Sequence, residues 1–216
     1  LEIDMVNLWD VRRSYTQGHL DESKVAEHPL TQFHAWFEEY RATGPLEANI
    51  MTLATVDALG QPWQRVVLLK AYDEEGFLFF TNYNSHKGQH LGAAGLASLH
   101  FFWINMERQV QVQGQVEKLS RAESQAYFHS RPRDSQLGAW ASAQSQPLKD
   151  RATLEAQFAQ AQARFAQEEV PLPDFWGGYR VKPSRMEFWQ GGANRLHDRV
   201  EYCLEQGVWQ IGRLNP

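Results

Sequence analysis

The sequence predicts an α+β fold in which short antiparallel strands curl toward a barrel and helices flank them. Three observations carry this. First, Gln109–Val116 alternates strictly: Gln109, Gln111, Gln113 and Gln115 share one face, while Val110, Val112 and Val116 share the other. One apolar and one polar face suit an antiparallel sheet or a barrel wall. Second, strand-like runs gather at the two ends of the chain, with helical patterns between them. Third, strand and helix do not alternate often enough for a doubly wound sheet, and closure into a barrel would remove exposed strand edges.

The elements follow in order. Phe33, Trp36, Phe37 and Tyr40 recur at helical spacing, which predicts a helix over 32–43 that Gly44-Pro45 stops. Ile50–Val56 is apolar and β-branched, and Asp57–Gln61 is a turn. Trp63–Tyr72 reads as one strand and Phe77–Thr81 as the next. Ser85 caps a short helix to about Leu91, and Ser98–Ile104 is a further strand. Ser120–Ser130 is a helix opened by a capping box, Ser120 with Glu123. Leu148–Gln167 is a second long helix. Tyr179–Val181, Met186–Trp189, Arg199–Leu204 and Val208–Arg213 form the late strands. The division expected is an N-terminal arm over 1–18 and one domain over 19–216.

Composition limits the function. Across 216 residues, 43% are hydrophobic and 22% charged, as in a globular chain. A net charge of −5 argues against general nucleic-acid binding but leaves room for a locally basic pocket. Cys203 is the single cysteine, which excludes an intrachain disulfide and a cysteine-based metal cluster. Residues 1–20 lack the apolar core of a signal peptide, and no run of about 18 apolar residues suggests a membrane span. A cytoplasmic location without membrane contact is therefore expected. Phosphate-binding glycine loops and H-E-x-x-H are absent. His86 and His90 have a metal-compatible spacing but no third ligand, so they read as surface histidines and no metal is expected.

Four cationic groups remain. Ser85-His86-Lys87 opens a helix, where free N–H groups and Lys87 can meet a phosphate; alone it reads more readily as a capped helix with solvated basic residues. Arg65 and Lys70 lie five apart on one predicted strand, so they face opposite sides unless a bulge intervenes; from this segment alone one solvent-facing and one ion-paired charge is the better reading, and two different ligand groups the other. Tyr127 and Arg131 share a helix face, Pro132 breaks the helix after them, and Ser135 folds back beside them. A guanidinium fork with two hydroxyls suits a phosphate. The densest run is Trp189–Arg199, where Arg195, His197 and Arg199 share one side if the segment is extended, and such a row calls for an anion or acidic partners.

Several blocks of the chain resemble the pyridoxamine 5′-phosphate oxidase family from about Arg12 to Pro216. They are Arg65-Val66-Val67-Leu68-Leu69-Lys70, Ser130-Arg131-Pro132-Arg133-Asp134-Ser135-Gln136, Phe175-Trp176-Gly177-Gly178, Glu187-Phe188-Trp189-Gln190-Gly191-Gly192 and Arg195-Leu196-His197-Asp198-Arg199. The resemblance implies an FMN-binding split barrel and a homodimer with two sites at the subunit interface. It implies oxidation of pyridoxine or pyridoxamine 5′-phosphate to pyridoxal 5′-phosphate, with O2 as acceptor and H2O2 released.

By the same resemblance, the stretch Arg65, Val66, Val67, Leu68, Leu69 and Lys70 contacts FMN, as do Phe80, Thr81, His86, Lys87, Gln109, Gln144, Ser145, Trp189 and Arg199. Gln144 and Ser145 are expected to cross the interface. Lys70, Tyr127, Arg131 and Ser135 cradle the substrate phosphate. Arg195 and His197 act over the substrate ring, and Arg12 and Tyr15 belong to a lid. His86 stands where family members often carry Arg, which weakens that part of the FMN grip. A split-barrel flavin reductase fed by a nicotinamide would share the FMN contacts without needing the Tyr127/Arg131/Ser135 cradle. A carrier of FMN or pyridoxal phosphate would need no Arg195/His197 pair.

Overall fold

The computed structural model describes residues 7–216, so the first six residues of the expected arm lie outside the described residues. Nine strands form one antiparallel sheet. They are β1 Ile50–Val56, β2 Pro62–Leu68, β3 Ala71–Asp73, β4 Gly76–Asn82, β5 Leu96–Trp103, β6 Arg108–Lys118, β7 Trp176–Gln190, β8 Asp198–Glu205 and β9 Val208–Arg213. The ladder runs β2-β1-β5-β6-β7-β4-β3, with β8 and β9 added beside β7. Its concave face holds the core. Leu53, Leu99, Val112, Met186 and Tyr202 pair in one cross-strand row and are fully buried. The alternation of Gln109–Val116 is the outer wall of this core, with Val110 and Val112 inside.

Helix α1, Pro29–Ala42, fills the hollow. It starts earlier than its aromatic spacing suggests, because Pro29 has no N–H to lose in a first turn. Its Phe33 ring meets Phe77 at 4.9 Å and Phe101 at 5.0 Å between centroids.

Two strand expectations need correction. The predicted strand over 63–72 is two strands. The chain leaves the β1 ladder after Leu68, and Lys70 N–H donates to Leu78 O on β4 at 2.8 Å. Leu69 and Lys70 are thus the crossing point at which the barrel is split. Conversely, β7 is continuous where two strands were expected. It bends past Pro183 at a register shift opposite Gln113/Gly114. A Cβ on Gly114 would lie 1.9 Å from Lys182 O, so only glycine admits that approach. The first part of β7 pairs with β4, and its last part with β8.

Helix α2, His86–Ala94, is capped by Ser85 Oγ and ends at left-handed Gly95. Helix α3, Arg121–Ser130, opens with the full capping box of Ser120 and Glu123. Helix α4, Arg133–Ala141, was not anticipated: Pro132 ends one helix and, as N-cap, starts another. Helix α5, Arg151–Arg164, is shorter than the expected 148–167, because Asp150 caps it by accepting from Thr153 N. Phe128, Leu137, Ala161 and Phe165 join Trp176 of β7 in a second core between these helices and the sheet.

Candidate active site

The candidate residues form three groups. The first lies on the outer face of the sheet. Phe102, Gln109, Trp189 and Arg199 pair across β5, β6, β7 and β8, one residue out of phase with the buried row Phe101, Val110, Phe188 and Val200. Gln109 and Trp189 line a cavity of about 570 Å³ together with Arg12, Tyr15, Arg195 and His197. The Tyr15 ring sits edge-on to Trp189 and to His197, each at 5.7 Å. His197 Nδ1 accepts the Gly192 N–H at 3.1 Å, so the ring proton of the neutral imidazole is on Nε2.

Asn194 and Arg195 both have positive φ, 55° and 63°. The run before β8 is therefore a tight turn and not an extended strand, so Arg195, His197 and Arg199 do not form one row. Two consecutive non-glycine residues in this region mark a backbone held by its surroundings. Arg195 is exposed and has no carboxylate partner among the described residues. Arg199, by contrast, is bound bidentately by Glu187 at 2.8 and 3.0 Å and donates to Asn215 O at 2.9 Å. That pairing raises its pKa and offsets its charge. Arg199 therefore lines a second cavity, of about 240 Å³, as a neutralised pair.

The second group sits at the end of the barrel. Arg65 pairs with Leu53 and so rises from the core-facing side of the sheet. It donates to Thr55 Oγ1 at 2.7 Å and Leu53 O at 3.1 Å. Lys87, at the start of α2, donates to Gln144 Oε1 at 2.8 Å, and Thr81 donates to the same oxygen at 3.2 Å. Burial, reinforced by the neighbouring Arg65 charge, lowers Lys87 to about 8. Burial also lowers Arg65. Neither cation has a carboxylate within ion-pair distance among the described residues. Two uncompensated cations beside a helix N-terminus suit an anion.

Gln144 reaches this group from its own chain, and Ser145 follows, exposed, at φ 71°. Val66 is exposed, Leu69 is buried, and Val67 and Leu68 lie between these extremes. His86 is exposed against Trp63. His90 is partly buried, with its Nδ1 3.1 Å from Thr55 Oγ1.

The third group lies in the helical layer. Phe80 stacks on Tyr127 at 3.9 Å, and Tyr127 lies parallel to Trp176. Pro132 forces Arg131 out of α3 into extended backbone, where its guanidinium sits 4.7 Å from the Trp176 ring centre. Arg131 Nη1 is buried without a hydrogen-bond partner, and burial lowers its pKa. A buried guanidinium nitrogen left unpaired is costly unless a ligand completes it. Ser135 stands in the first turn of α4. Lys70 is exposed at the crossing between β2 and β3.

Residues 37–165 match the family model described as pyridoxamine 5′-phosphate oxidase. The chain belongs to this family. Residues 176–216 match the pyridoxine 5′-phosphate oxidase C-terminal dimerisation region. The pyridoxine/pyridoxamine 5′-phosphate oxidase of Teredinibacter turnerae is 54% identical over 98% of this chain and 100% of its own length. That of Ralstonia pickettii is 55% identical over the same shares. Among solved structures, PhzG from Burkholderia lata, in complex with tetrahydrophenazine-1-carboxylic acid, superposes with a TM-score of 0.85. It is 29% identical and covers 90% of this chain and 96% of its own. A pyridoxamine 5′-phosphate oxidase-related, FMN binding protein of Nostoc punctiforme shares the fold, with a TM-score of 0.69 at 16% identity over 88% of this chain and 98% of its own.

In this oxidase-family chain the dimerisation region comprises β7, β8 and β9, the strands whose outer face carries Trp189 and Arg199. Three residues near the site escaped the sequence reading. Thr55, inside an apolar strand, receives Arg65; Glu187, a lone acid between Met186 and Phe188, receives Arg199. Glu107 is buried beside the arm. An acid interrupting an apolar alternation was the one available signal for Glu187.

Proposed function

We propose that two copies of this chain form an FMN-dependent oxidase that converts pyridoxine 5′-phosphate and pyridoxamine 5′-phosphate to pyridoxal 5′-phosphate. The observation that carries the reading is a pair of separate candidate anion sites: the uncompensated Arg65–Lys87 cluster and the half-buried Arg131 guanidinium beside Tyr127, whose Nη1 is buried without a partner. A phosphorylated cofactor and a phosphorylated substrate require two such sites. The names of relatives above half identity over nearly the whole chain agree with it.

The donor set fits FMN. Arg65, Lys87 and the α2 N-terminus suit its phosphate, with Thr81 and Gln144 beside them. Gln109, Trp189 and Arg199 lie on the opposite face of the sheet and reach the same molecule from the partner subunit. FMN, when bound, would supply the two-electron redox chemistry between the C4′ carbon and O2, with H2O2 as product and, for the amine substrate, one water consumed as ammonia is released.

The chain supplies the positioning. Arg131, Tyr127, Ser135 and Lys70 hold the substrate phosphate, so the other end of the molecule is placed rather than found by diffusion. Arg195 brings an uncompensated charge to the substrate ring, and His197 brings an Nε2–H donor. Tyr15 and Arg12 cover the ring and exclude water. The exposed His86 contributes less to the FMN phosphate than an arginine would. We place the enzyme in the cytoplasm, a location in keeping with its single cysteine; no helix among the described residues is long and apolar enough to cross a membrane.

The test is anaerobic addition of pyridoxine 5′-phosphate to the FMN-loaded protein while following flavin absorbance near ~450 nm. Bleaching, with colour restored by air as pyridoxal 5′-phosphate appears, is the expected result. A flavin that stays oxidised with both the alcohol and the amine contradicts the reading, and its reduction by NADH would identify a reductase.

A further inference from the structure

Glu107 occupies the turn between β5 and β6 with φ 54°, a left-handed conformation unusual for a glutamate. It is 1% exposed. A buried carboxylate is costly unless it is paired and hydrogen-bonded. All its side-chain partners come from the far end of the sequence. Oε2 accepts the backbone N–H of Thr16 at 2.7 Å and of Gln17 at 3.0 Å, and Oε1 lies 3.0 Å from Arg13 Nη2. The same residue is tied to the cavity floor through its backbone, since Glu107 O accepts the Gly191 N–H at 2.7 Å.

Gly191 is what allows the arm to come so close. A Cβ there would lie 2.8 Å from Tyr15 Cβ and 3.1 Å from Glu107 Cβ. Between the hooked residues, Arg13 and Thr16, stands Tyr15, edge-on to Trp189 and His197. Arg12, the next residue before the hook, lines the same cavity.

We infer that Glu107 is a positioning residue for the oxidation. It seats the segment Arg12–Gln17, and through it Tyr15, over the substrate cavity without itself touching substrate. The attachment is polar and local. Apart from Tyr15, no residue of the segment from Arg12 to Gln17 belongs to an aromatic pair, and the segment is largely exposed. An arm held by one carboxylate and the edge contacts of one tyrosine can open for exchange of substrate and product and return to one place, whereas an arm held by extensive apolar burial could not open so readily.

The kinetic side of this inference rests on the oxidase reading; its proteolytic side does not. In the FMN-loaded protein, Glu107→Ala is expected to raise KM for pyridoxine 5′-phosphate roughly tenfold, the loss set by two charge-assisted hydrogen bonds and one ion pair. It should leave kcat within about threefold. Trypsin should cut faster after Arg12 and Arg13, while FMN affinity and Tm stay near wild type. Glu107→Gln, which keeps a neutral acceptor, should fall between the two. In a Tyr15→Ala background, Glu107→Ala should add little to KM, because both changes remove the same wall.

Unchanged cleavage and KM in Glu107→Ala would overturn the inference. So would a KM rise that multiplies in full with that of Tyr15→Ala, or losses of FMN affinity and Tm in step with KM. Should Glu107→Ala fail to fold, Arg13→Ala tests the same hook from an exposed side chain, with faster cleavage after Arg12 expected and unchanged cleavage and KM counting against it. If the wild-type protein does not oxidise pyridoxine 5′-phosphate, the functional reading falls, while the cleavage rates still decide the hook.

Discussion

Lys87 sets burial against charge. Its ammonium is half-buried beside Arg65, and both effects lower its pKa from 10.5 to about 8. In the ligand-free protein the unfolded chain holds this proton more tightly than the folded one. Lys87 therefore makes stability rise with pH between about 8 and 10.5. A bound phosphate reverses the preference, because it rewards the charged form. Above about pH 7 the phosphate is already close to a dianion, so Lys87 is the group that titrates. FMN affinity is expected to weaken as pH rises through about 8. Lys87→Arg, which stays charged, should flatten that profile. Fluorescence titration of apoprotein with FMN between pH 7 and pH 9.5, as a rough window around this value, checks both; a flat wild-type profile would contradict the assignment. That Arg65 and Lys87 carry the charge an anion site needs was open to the sequence as residue chemistry. That they lie side by side, and that Thr55 receives Arg65, depends on contacts across strands that spacing does not encode.

At the scale of elements, α3 delivers Tyr127 and places Arg131 just beyond its end, so its first turn matters to the site. Ser120 Oγ accepts from Glu123 N, and the Glu123 carboxylate reaches back to Ser120 N. Ser120→Ala should cost about 1 kcal/mol of stability, read as a fall in the denaturant midpoint with unchanged slope. An unaltered midpoint would mean that tertiary packing alone holds the helix. This capping box was plain in the sequence, as were β1, β5, β6 and the Ser85 cap, because each rests on local periodicity or a side chain bonding its own backbone. The failures share a cause. The break at Leu69-Lys70, the continuity of β7 past Pro183 and the helix after Pro132 are each decided by a partner element far along the chain. Proline marked an interruption at Pro132 and Pro183, but not whether the same element or a new one would resume, and nothing local marked the break at Leu69-Lys70.

At the scale of the whole molecule, the sheet separates the site. Arg65 projects from its core-facing side and Arg131 from the helical layer, whereas Gln109 and Trp189 stand on the outer face of β6 and β7. A single ligand meets both sets only where a second copy brings its outer face to the first copy's barrel end, and the dimerisation region carries that outer face. The sequence showed the polar outer face as alternating glutamines but could not say what covers it, since alternation distinguishes inside from outside and not solvent from subunit. Gln144 meets Lys87 within one chain.

The claim that each site is shared between two chains is tested most directly by subunit complementation. Arg131→Met disables the substrate-phosphate side of one chain, and Arg195→Ala disables the outer-face side of another. Each variant alone should be nearly inactive toward pyridoxine 5′-phosphate. Co-refolded in equal amounts, they should recover about a quarter of wild-type activity, because half of the randomly paired dimers are mixed and each mixed dimer has one intact site. A mixture no more active than the two variants separately would show that Arg131 and Arg195 act within one chain.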